Sequence, residues 1–406
     1  MDKIRITLKL ICFLALFTVV YLAVEFVLEE RTSNDKYAEF FKEKQDYPVL
    51  FMGNSHVTND IFPMEMYHDY GIVSYNFGGH ANTMPTTYWI IKNALDYTHP
   101  KLIVLDMRSV GSSLKHSEKV RYLHISLDCF PMSRNKFSAV NDILEDKDER
   151  SEFLWKMWIY HDRWDELEKL DFTGERKYEK GAESRINVSR SARKNDVEYD
   201  RSIKLTEKTL GEEYLERIIN ECRAMGIEVL LTYLPVSIKD DNLAEINSAA
   251  DIAAKYDVNF INYNEMELVD FDTDYNDSGA HLNPSGARKI SEHLGRYIME
   301  NYDIEDLRGS SEYASWQKDW EDYKSFKEEN LRREEDVYNF VMLCADKDYE
   351  VSCEIRDPKL KEDGLMAKLL ENAGIDPKDG QGDEDIFFEV KNTGGESVCT
   401  RTFELE

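Results

Sequence analysis

The sequence has no excess of basic residues and no cluster of them. Its 406 residues include 51 lysines and arginines against 80 acidic residues, which gives a formal net charge of -29. A chain with this charge repels the phosphates of DNA and RNA, so a nucleic-acid partner is excluded. Disorder is excluded as well, because the hydrophobic share of 42% is ordinary for a folded protein.

The sequence also lacks the cysteine spacings of a metal site. None of its six cysteines forms a C-x-x-C pair or a Cys/His ligand pattern, so no zinc site is expected. A chain of this length builds real cores and needs no disulfide framework. Cys344, Cys353 and Cys399 are close enough in sequence to pair with one another, and the alternative is that they are unpaired core residues.

A cleavage site is missing after the apolar run at the N-terminus. Residues 10–28, "LICFLALFTVVYLAVEFVL", contain one charged residue, Glu25, and a membrane-spanning helix needs about 20 such residues. No small-x-small signal follows, which favours an uncleaved anchor within residues 1–30 over a signal peptide. Basic residues remain in the cytoplasm, so the bulk of the chain is expected to be extracytoplasmic. Those residues are Lys3, Arg5 and Lys9.

Strands and helices alternate through residues 46–305, which predicts one α/β domain with a mostly parallel, five-stranded sheet and helices on both faces. The predicted strands are residues 47–53, 71–79, 101–107, 227–236 and 258–264. Ligands of such sheets bind beyond the carboxyl ends of the strands. Ser55 follows the first predicted strand, Gly78 and Gly79 end the second, and His281 follows the fifth.

The flanking segments differ in character. Residues 32–45 are expected to be a polar helical spacer, and residues 173–200 a polar surface excursion. Residues 306–335 are predicted to be a charged helical connector. Residues 336–406 are predicted to form a separate small α+β domain without a catalytic constellation.

Three residue types suited to nucleophilic catalysis fall at the same edge of the predicted sheet. A serine hydroxyl needs an adjacent base, and a carboxylate orients the histidine that acts as this base. Ser55, His281 and Asp277 are the candidates, and this chemistry requires no metal and no organic cofactor. Each has a structural alternative: a helix cap for Ser55, a satisfied, partly buried histidine for His281, and a turn residue for Asp277.

The blocks "GNSH", "YNFGGHANT" and "DSGAHLNPSGARK" together resemble the GDSL-like, or SGNH, hydrolase superfamily over residues 47–301. The resemblance implies a flavodoxin-like three-layer sandwich and serine esterase or acyltransferase activity. With the anchor, the chain is similar to cell-envelope members such as the D-alanyl transfer protein of teichoic acid synthesis and the polysaccharide O-acetylation proteins. This similarity implies an acylated carbohydrate or cell-wall polymer as substrate and envelope-biosynthesis proteins as partners.

The sequence departs from the family pattern at the acid. The family aspartate precedes the histidine by three residues, and Ser278 occupies that position. Asp277 is one residue further away, where a bulge in the loop would bring it to the imidazole, and Asp274 is the fallback.

A second departure concerns the oxyanion site. The asparagine expected in the third block is absent from "LIVLDMRSVG", which has Asp106 and Arg108 instead. The amides of Ser55 and of the glycine-rich loop are the candidate donors, and Arg108 is a candidate for binding an oxyanion or an anionic substrate. The candidates in that loop are Gly79, Ala81 and Asn82. The missing asparagine keeps open a second hypothesis, in which the protein is a non-catalytic envelope-binding or assembly protein with a degenerate site.

Aromatic residues are concentrated in the middle of the chain. Trp155, Trp158 and Trp164 lie with His161 and Arg163 at helical spacing. This spacing favours packing in a core, and stacking against a sugar ring is the alternative.

Overall fold

The computed structural model describes residues 2–29, 31–174, 177–190, 198–380 and 385–404. A five-stranded parallel sheet has the order β2-β1-β3-β4-β5, which is the flavodoxin-like order. Its strands are β1 (Val49–Gly53), β2 (Ser74–Gly78), β3 (Leu102–Asp106), β4 (Glu228–Tyr233) and β5 (Asn259–Asn262). The predicted fold class is confirmed.

Seventeen α-helices are found within the described residues. They are α1 (Asp2–Leu28), α2 (Arg31–Glu43), α3 (Ser55–Asp60), α4 (Pro63–Tyr70), α5 (Met84–Ala94), α6 (Val120–Leu127), α7 (Arg134–Ile143), α8 (Lys147–Leu154), α9 (Met157–Tyr160), α10 (Lys169–Thr173), α11 (Leu210–Ala224), α12 (Asp240–Tyr256), α13 (Pro284–Asn301), α14 (Ser315–Arg333), α15 (Val337–Cys344), α16 (Pro358–Glu362) and α17 (Gly364–Asn372). Two short 3₁₀ helices cover His161–Asp165 and Tyr263–Glu265.

The sheet has a hydrophobic core on each face, because successive side chains of a strand point to opposite sides. Leu50 and Met52 of β1 pack with α5, α11 and α12 on one face. Phe51 of the same strand packs with α3, α4 and α13 on the other face. Both faces are therefore covered, as a parallel sheet requires, and polar side chains can gather only at its edges and ends.

The predicted spacer and the predicted connector both belong to the core of this domain. Tyr37 and Phe40 of α2 are buried in the same cluster as β1 and α5. Trp316, Trp320 and Tyr323 of α14 are buried in that cluster too. Both segments are helical, as the sequence predicts, but each buries an apolar face while its polar residues are on the outer face.

Residues within 177–190 contradict the prediction of a surface excursion over residues 173–200, whereas residues 198–200 are exposed as predicted and residues 175–176 and 191–197 lie outside the described part of the chain. Glu179, Lys180 and Ala182 are buried, and the Lys180 carbonyl accepts a hydrogen bond of 3.0 Å from the Asn76 amide in β2. The ammonium of Lys180 lies 2.8 Å from Asp319. The charges that made this segment look solvated are neutralised by partners from other parts of the chain.

A second sheet of order β7-β6-β8-β9 forms the separate C-terminal domain. Its strands are β6 (Tyr349–Ile355), β7 (Lys378–Asp379), β8 (Ile386–Asn392) and β9 (Ser397–Phe403). Lys327 joins this domain to the larger one, because its ammonium lies 3.0 Å from both Glu65 and Asp346. All six cysteines are free, and Cys344 and Cys353 are buried, so of the two alternatives left open by the sequence the structure has the unpaired one.

Helix α1 is long and apolar enough to span a membrane over Lys3–Leu28. The expectation of core packing for the three tryptophans was wrong: Trp155, Trp158 and Trp164 are 59, 65 and 70% exposed. Helices α9 and α10 and the first 3₁₀ helix contact α1, and none of these three indoles belongs to a hydrophobic core among the described residues.

Candidate active site

Ser55 is held at the carboxyl end of β1 by a tight strand-to-helix turn. Gly53 has a φ of 152°, and a Cβ atom there would lie 2.7 Å from a methyl group of Val57. Asn54 is the N-cap of α3, since its side chain accepts a 3.0 Å hydrogen bond from the His56 amide. Ser55 is therefore not the cap, and its hydroxyl is left for other contacts.

The Ser55 hydroxyl meets the imidazole of His281 across 226 positions of sequence. Ser55 Oγ lies 2.8 Å from His281 Nε2. The Nδ1 atom of His281 lies 2.6 Å from Asp277 Oδ2. An ionised carboxylate only accepts hydrogen bonds, so Nδ1 carries the proton and Nε2 is free to accept the proton of the serine.

The loop between β5 and α13 brings Asp277 to the imidazole. Asp277 Oδ1 accepts hydrogen bonds from the amides of Gly279, Ala280 and His281, at 3.2, 2.7 and 3.1 Å. The chain turns around this carboxylate, so an aspartate four residues before the histidine still reaches its ring.

The same contacts determine the charge of the acid. Burial alone would raise the pKa of Asp277, but the hydrogen bonds from the His281 ring and from the Ala280 and His281 amides lower that pKa to about 2. The carboxylate is therefore ionised at neutral pH, as is needed to stabilise an imidazolium.

Asp274, the fallback acid, lies away from this chain of hydrogen bonds. Its carboxylate is buried, lies 2.6 Å from the Lys289 ammonium and accepts a hydrogen bond of 2.9 Å from the Ser285 hydroxyl. It fastens the start of α13, where Asn283 is the N-cap.

A second histidine–aspartate pair lies directly beside the first. The ring of His56 stacks on that of His281, with centroids 4.6 Å apart and 18° between the planes. Its Nδ1 atom lies 3.7 Å from Asp60 Oδ2. Burial, followed by the charges of Arg108 and His281, holds the pKa of His56 well below its usual range. Burial also raises the pKa of Asp60 well above its usual range, so His56 is neutral in the fold.

The sequence analysis did not identify Asp60 as part of this site. Its i, i+4 spacing from His56 on a short helix was the available signal.

Two of the predicted oxyanion donors already have an acceptor in this structure. The Gly79 amide and the Asn82 side-chain amide both donate to the Gly53 carbonyl, at 3.2 and 3.1 Å. A Cβ atom at Gly79 would lie 2.5 Å from the Asn82 amide nitrogen, so glycine permits this close approach. The Ser126 hydroxyl, which sequence reasoning missed, donates to Asn82 at 2.6 Å.

Other amides at this edge are not engaged. No hydrogen bond from the Ser55 amide is found within the described part of the chain. Ala81 is exposed and left-handed, with a φ of 50°. The structure therefore offers the Ser55 amide as a donor without rearrangement.

Asp106 and Arg108 occupy the place of the missing asparagine. Asp106 accepts hydrogen bonds from the amides of Leu234 and Arg108, at 2.9 and 3.2 Å, and burial raises its pKa to about 6. Its carboxylate thus holds the ends of β3 and β4 together. The Arg108 Nη1 atom is buried and has no hydrogen-bond partner among the described residues.

No group of three or more histidine, cysteine or acidic side chains that could hold a metal occurs within the described ranges. The arrangement that the chain does bring together is a hydroxyl, an imidazole and a carboxylate in series.

Comparison with known proteins gives remote structural likenesses. No family model matches the sequence, and no curated protein matches it. Two solved structures are similar to the chain, a candidate acylhydrolase from Bacteroides fragilis and a GDSL-like lipase from Bacteroides thetaiotaomicron. Each has 13% sequence identity and a TM-score of 0.32, with 67% of this chain and 99% of the other covered. At these values the likenesses carry no weight for function, which rests on the geometry of the site.

Proposed function

We propose that this protein is a serine acyl hydrolase or O-acyltransferase of the SGNH type that acts on acylated cell-envelope polysaccharide. The observation that carries the proposal is the unbroken series from Ser55 Oγ through His281 to Asp277, with distances of 2.8 and 2.6 Å. Distances in this range allow proton transfer and fix the tautomer of the base.

The first half of the reaction forms an acyl-enzyme. Ser55 Oγ attacks the acyl carbonyl carbon while its proton passes to His281 Nε2, and Asp277 stabilises the imidazolium. The Ser55 amide donates to the oxyanion, and the guanidinium of Arg108 supplies positive charge near it. His281 then returns the proton to the departing sugar hydroxyl as the carbon–oxygen bond breaks.

The second half releases the acyl group. His281 takes a proton from an acceptor hydroxyl, whose oxygen attacks the acyl-serine carbonyl, and Ser55 leaves as its proton is restored. Water as the acceptor gives an esterase, whereas a sugar hydroxyl gives a transferase. Neither half requires a metal or an organic cofactor.

The proposed location follows from α1. Its apolar surface is unburied, and its first turns carry three basic residues ahead of the apolar run of residues 10–28, so α1 is proposed to cross the membrane once with the bulk of the chain outside the cytoplasm. A polymer of the cell envelope is accessible there, and envelope-biosynthesis proteins are the corresponding partners.

A second candidate function is favoured because two of the predicted oxyanion donors already donate to another acceptor. The amides of Gly79 and Asn82 bond to the Gly53 carbonyl rather than facing a substrate oxygen. An envelope-binding or assembly protein could keep the fold with an oxyanion site incomplete in this way.

Covalent labelling separates the two candidates. A fluorophosphonate probe is expected to label the wild-type protein at Ser55, and the same preparation is expected to hydrolyse 4-nitrophenyl acetate. Ser55→Ala is expected to lose both activities, while Ser126→Ala, which removes another hydroxyl close to this edge, keeps the labelling. Absence of labelling and turnover in folded wild-type protein would favour the non-catalytic candidate.

A further inference from the structure

Five large apolar side chains are exposed in the segment that runs from Trp155, the C-cap of α8, through α9 and the first 3₁₀ helix to α10. We call these side chains the aromatic collar. They are Trp155, Trp158, Trp164, Leu170 and Phe172, with exposed fractions of 59, 65, 70, 46 and 59%. A soluble surface seldom exposes such a group without a partner.

The aromatic collar is fastened to the end of α1. The rings of Trp155 and Tyr21 meet edge to face, with centroids 6.4 Å apart. Arg163 Nη1 donates a hydrogen bond of 2.7 Å to the Leu28 carbonyl. Elements α9, α10 and the first 3₁₀ helix all contact α1, so the apolar surface of the collar continues that of the helix.

The length of α1 places this junction at the depth of the membrane interface. The apolar run of residues 10–28 corresponds to about 28 Å at the helical rise per residue, which matches the thickness of about 30 Å of the hydrocarbon core. Leu28, whose carbonyl accepts the hydrogen bond from Arg163, therefore lies at the end of the membrane-spanning run. Only the end of α1, from Tyr21 onward, is partly covered by protein, and this is the part that the collar contacts.

We propose that the aromatic collar inserts into the interfacial layer of the bilayer that α1 spans. Tryptophan rings favour this layer because they are apolar and carry a polar N–H group. The collar would thereby hold the domain against the membrane surface, whereas α1 alone would leave the orientation of the domain unrestrained. The inference rests on the membrane-spanning role of α1 in the proposed function, but it does not depend on catalysis.

The position of α2 shows which end of the sheet the collar holds near the membrane. Lys36, near the start of α2, donates to the Gly78 carbonyl at 2.5 Å and to Thr58 Oγ1 at 3.0 Å. Gly78 ends β2, and Thr58 lies one turn after Ser55. The junction of α1 and α2 is therefore on the same side as the carboxyl ends of the strands, and the collar would keep the edge with Ser55 turned toward the bilayer.

Quenching of tryptophan emission by brominated lipids tests this placement. Full-length protein is reconstituted in phosphatidylcholine vesicles with bromines near the headgroup end of the acyl chains. The wild type is expected to lose emission relative to unbrominated vesicles. The variant W155F/W158F/W164F retains Trp89, Trp316 and Trp320, which are 7, 0 and 6% exposed, and is expected to show no such loss.

A matched control places a reporter at the opposite end of the sheet. Tyr97 is 40% exposed and precedes Thr98, whose hydroxyl accepts a hydrogen bond from the Tyr47 amide ahead of β1. Tyr97→Trp in the triple-phenylalanine background is expected to stay unquenched. Quenching of this reporter equal to that of the wild type would overturn the proposed orientation.

Two further measurements separate the failure of this inference from the failure of the proposed function. Resistance of the protein to carbonate extraction reports on the insertion of α1, and turnover of 4-nitrophenyl acetate reports on the active site. An inserted, active wild type without quenching would overturn the collar proposal and leave the function intact. Emission that responds instead to added oligosaccharide, or to protein concentration, would overturn it in favour of a glycan or a second copy as the occupant.

Discussion

Two histidine–aspartate pairs lie side by side in this molecule, and the histidine of one of them contacts the Ser55 hydroxyl. The rings of His281 and His56 are nearly parallel and 4.6 Å apart. The His281 side chain is 18% exposed and its partner Asp277 36%, whereas His56 and Asp60 are 4 and 0% exposed. The two carboxyl groups therefore differ in pKa: that of Asp277 is lowered, whereas burial raises that of Asp60.

The backbone of one loop explains the difference. Asp277 accepts three amide hydrogen bonds and one from an imidazole, and its pKa is low in spite of burial. Asp60 accepts one amide hydrogen bond, from Leu282 at 2.9 Å. Burial raises the pKa of Asp60 by more than this hydrogen bond lowers it. The number of hydrogen-bond donors, rather than the presence of a neighbouring histidine, decides which of the two carboxyl groups is ionised.

Removal of the His281 imidazole, which contacts Ser55, is expected to have the largest effect on activity. His281→Ala is expected to lower kcat by up to about 10⁶-fold, because the serine loses its base. Fluorophosphonate labelling and ester turnover measure the loss. His56→Phe is the control, since it changes the neighbouring ring and leaves Nε2 of His281 in place. Equal losses in the two variants would mean that the rings act as one unit.

Neutralising the acid, Asp277, is expected to have the next largest effect on activity. Asp277→Asn is expected to lower kcat by about 10⁴-fold, because an amide no longer holds the proton on His281 Nδ1. Asp60→Asn keeps an oxygen for the Leu282 amide and is expected to lower kcat by less than about 10-fold. The reverse order of these two losses would assign the orienting role to Asp60.

The charge of Arg108 acts on the buried pair of His56 and Asp60. Arg108 is also expected to act on the substrate. Arg108→Gln is expected to lower kcat/KM for acetyl esters by about 10- to 100-fold, since one positive charge near the oxyanion is lost. Arg108→Lys keeps the charge and is expected to recover part of the loss. The split between kcat and KM is the measurement, and an unchanged kcat/KM in both variants would leave Arg108 without a role in the reaction.

The two aspartates are also expected to give opposite dependences of stability on pH. Asp277 has a folded pKa of about 2, below the unfolded value of about 3.9, so its contribution is present above pH 4 and is lost as the pH falls toward 2. The pKa of Asp60 is raised, so its contribution is present at low pH and is lost as the pH rises through its folded pKa.

Differences in the free energy of unfolding test these signs. The advantage of the wild type over Asp277→Asn is expected to grow between pH 2 and 6, and its advantage over Asp60→Asn is expected to shrink over the same range. Denaturant titrations at each pH give both differences. Asp106, Arg108 and Asp277 also act on Asp60, so the pH range of the decrease belongs to this coupled group, whereas its sign reports on Asp60.

The sequence was sufficient for the sheet and for Ser55 and His281 at its edge, whereas Asp60 and Ser126 were missed. Alternating buried runs predicted five parallel strands, and the rule about carboxyl ends placed Ser55 and His281 together in advance of the structure. The hydrogen bonds around Asp277 could not be predicted, because they depend on the turn geometry of residues 277–281. The packing of α2 and α14 was missed, since a composition averaged over a helix conceals its buried face.

Replacement of the buried histidine is expected to have the smallest effect on activity. His56 is neutral and contacts His281 through its ring face, so His56→Phe keeps the stacked surface and is expected to change kcat by less than about 10-fold. His56→Ala removes the same nitrogens but leaves a cavity, and is expected to cost about 2–4 kcal/mol of the free energy of unfolding. Kinetics and thermal denaturation of both variants separate these effects. A loss of more than 100-fold in kcat in a stable His56→Phe protein would make His56 part of the proton path. The two histidine–aspartate pairs would then act together in the reaction.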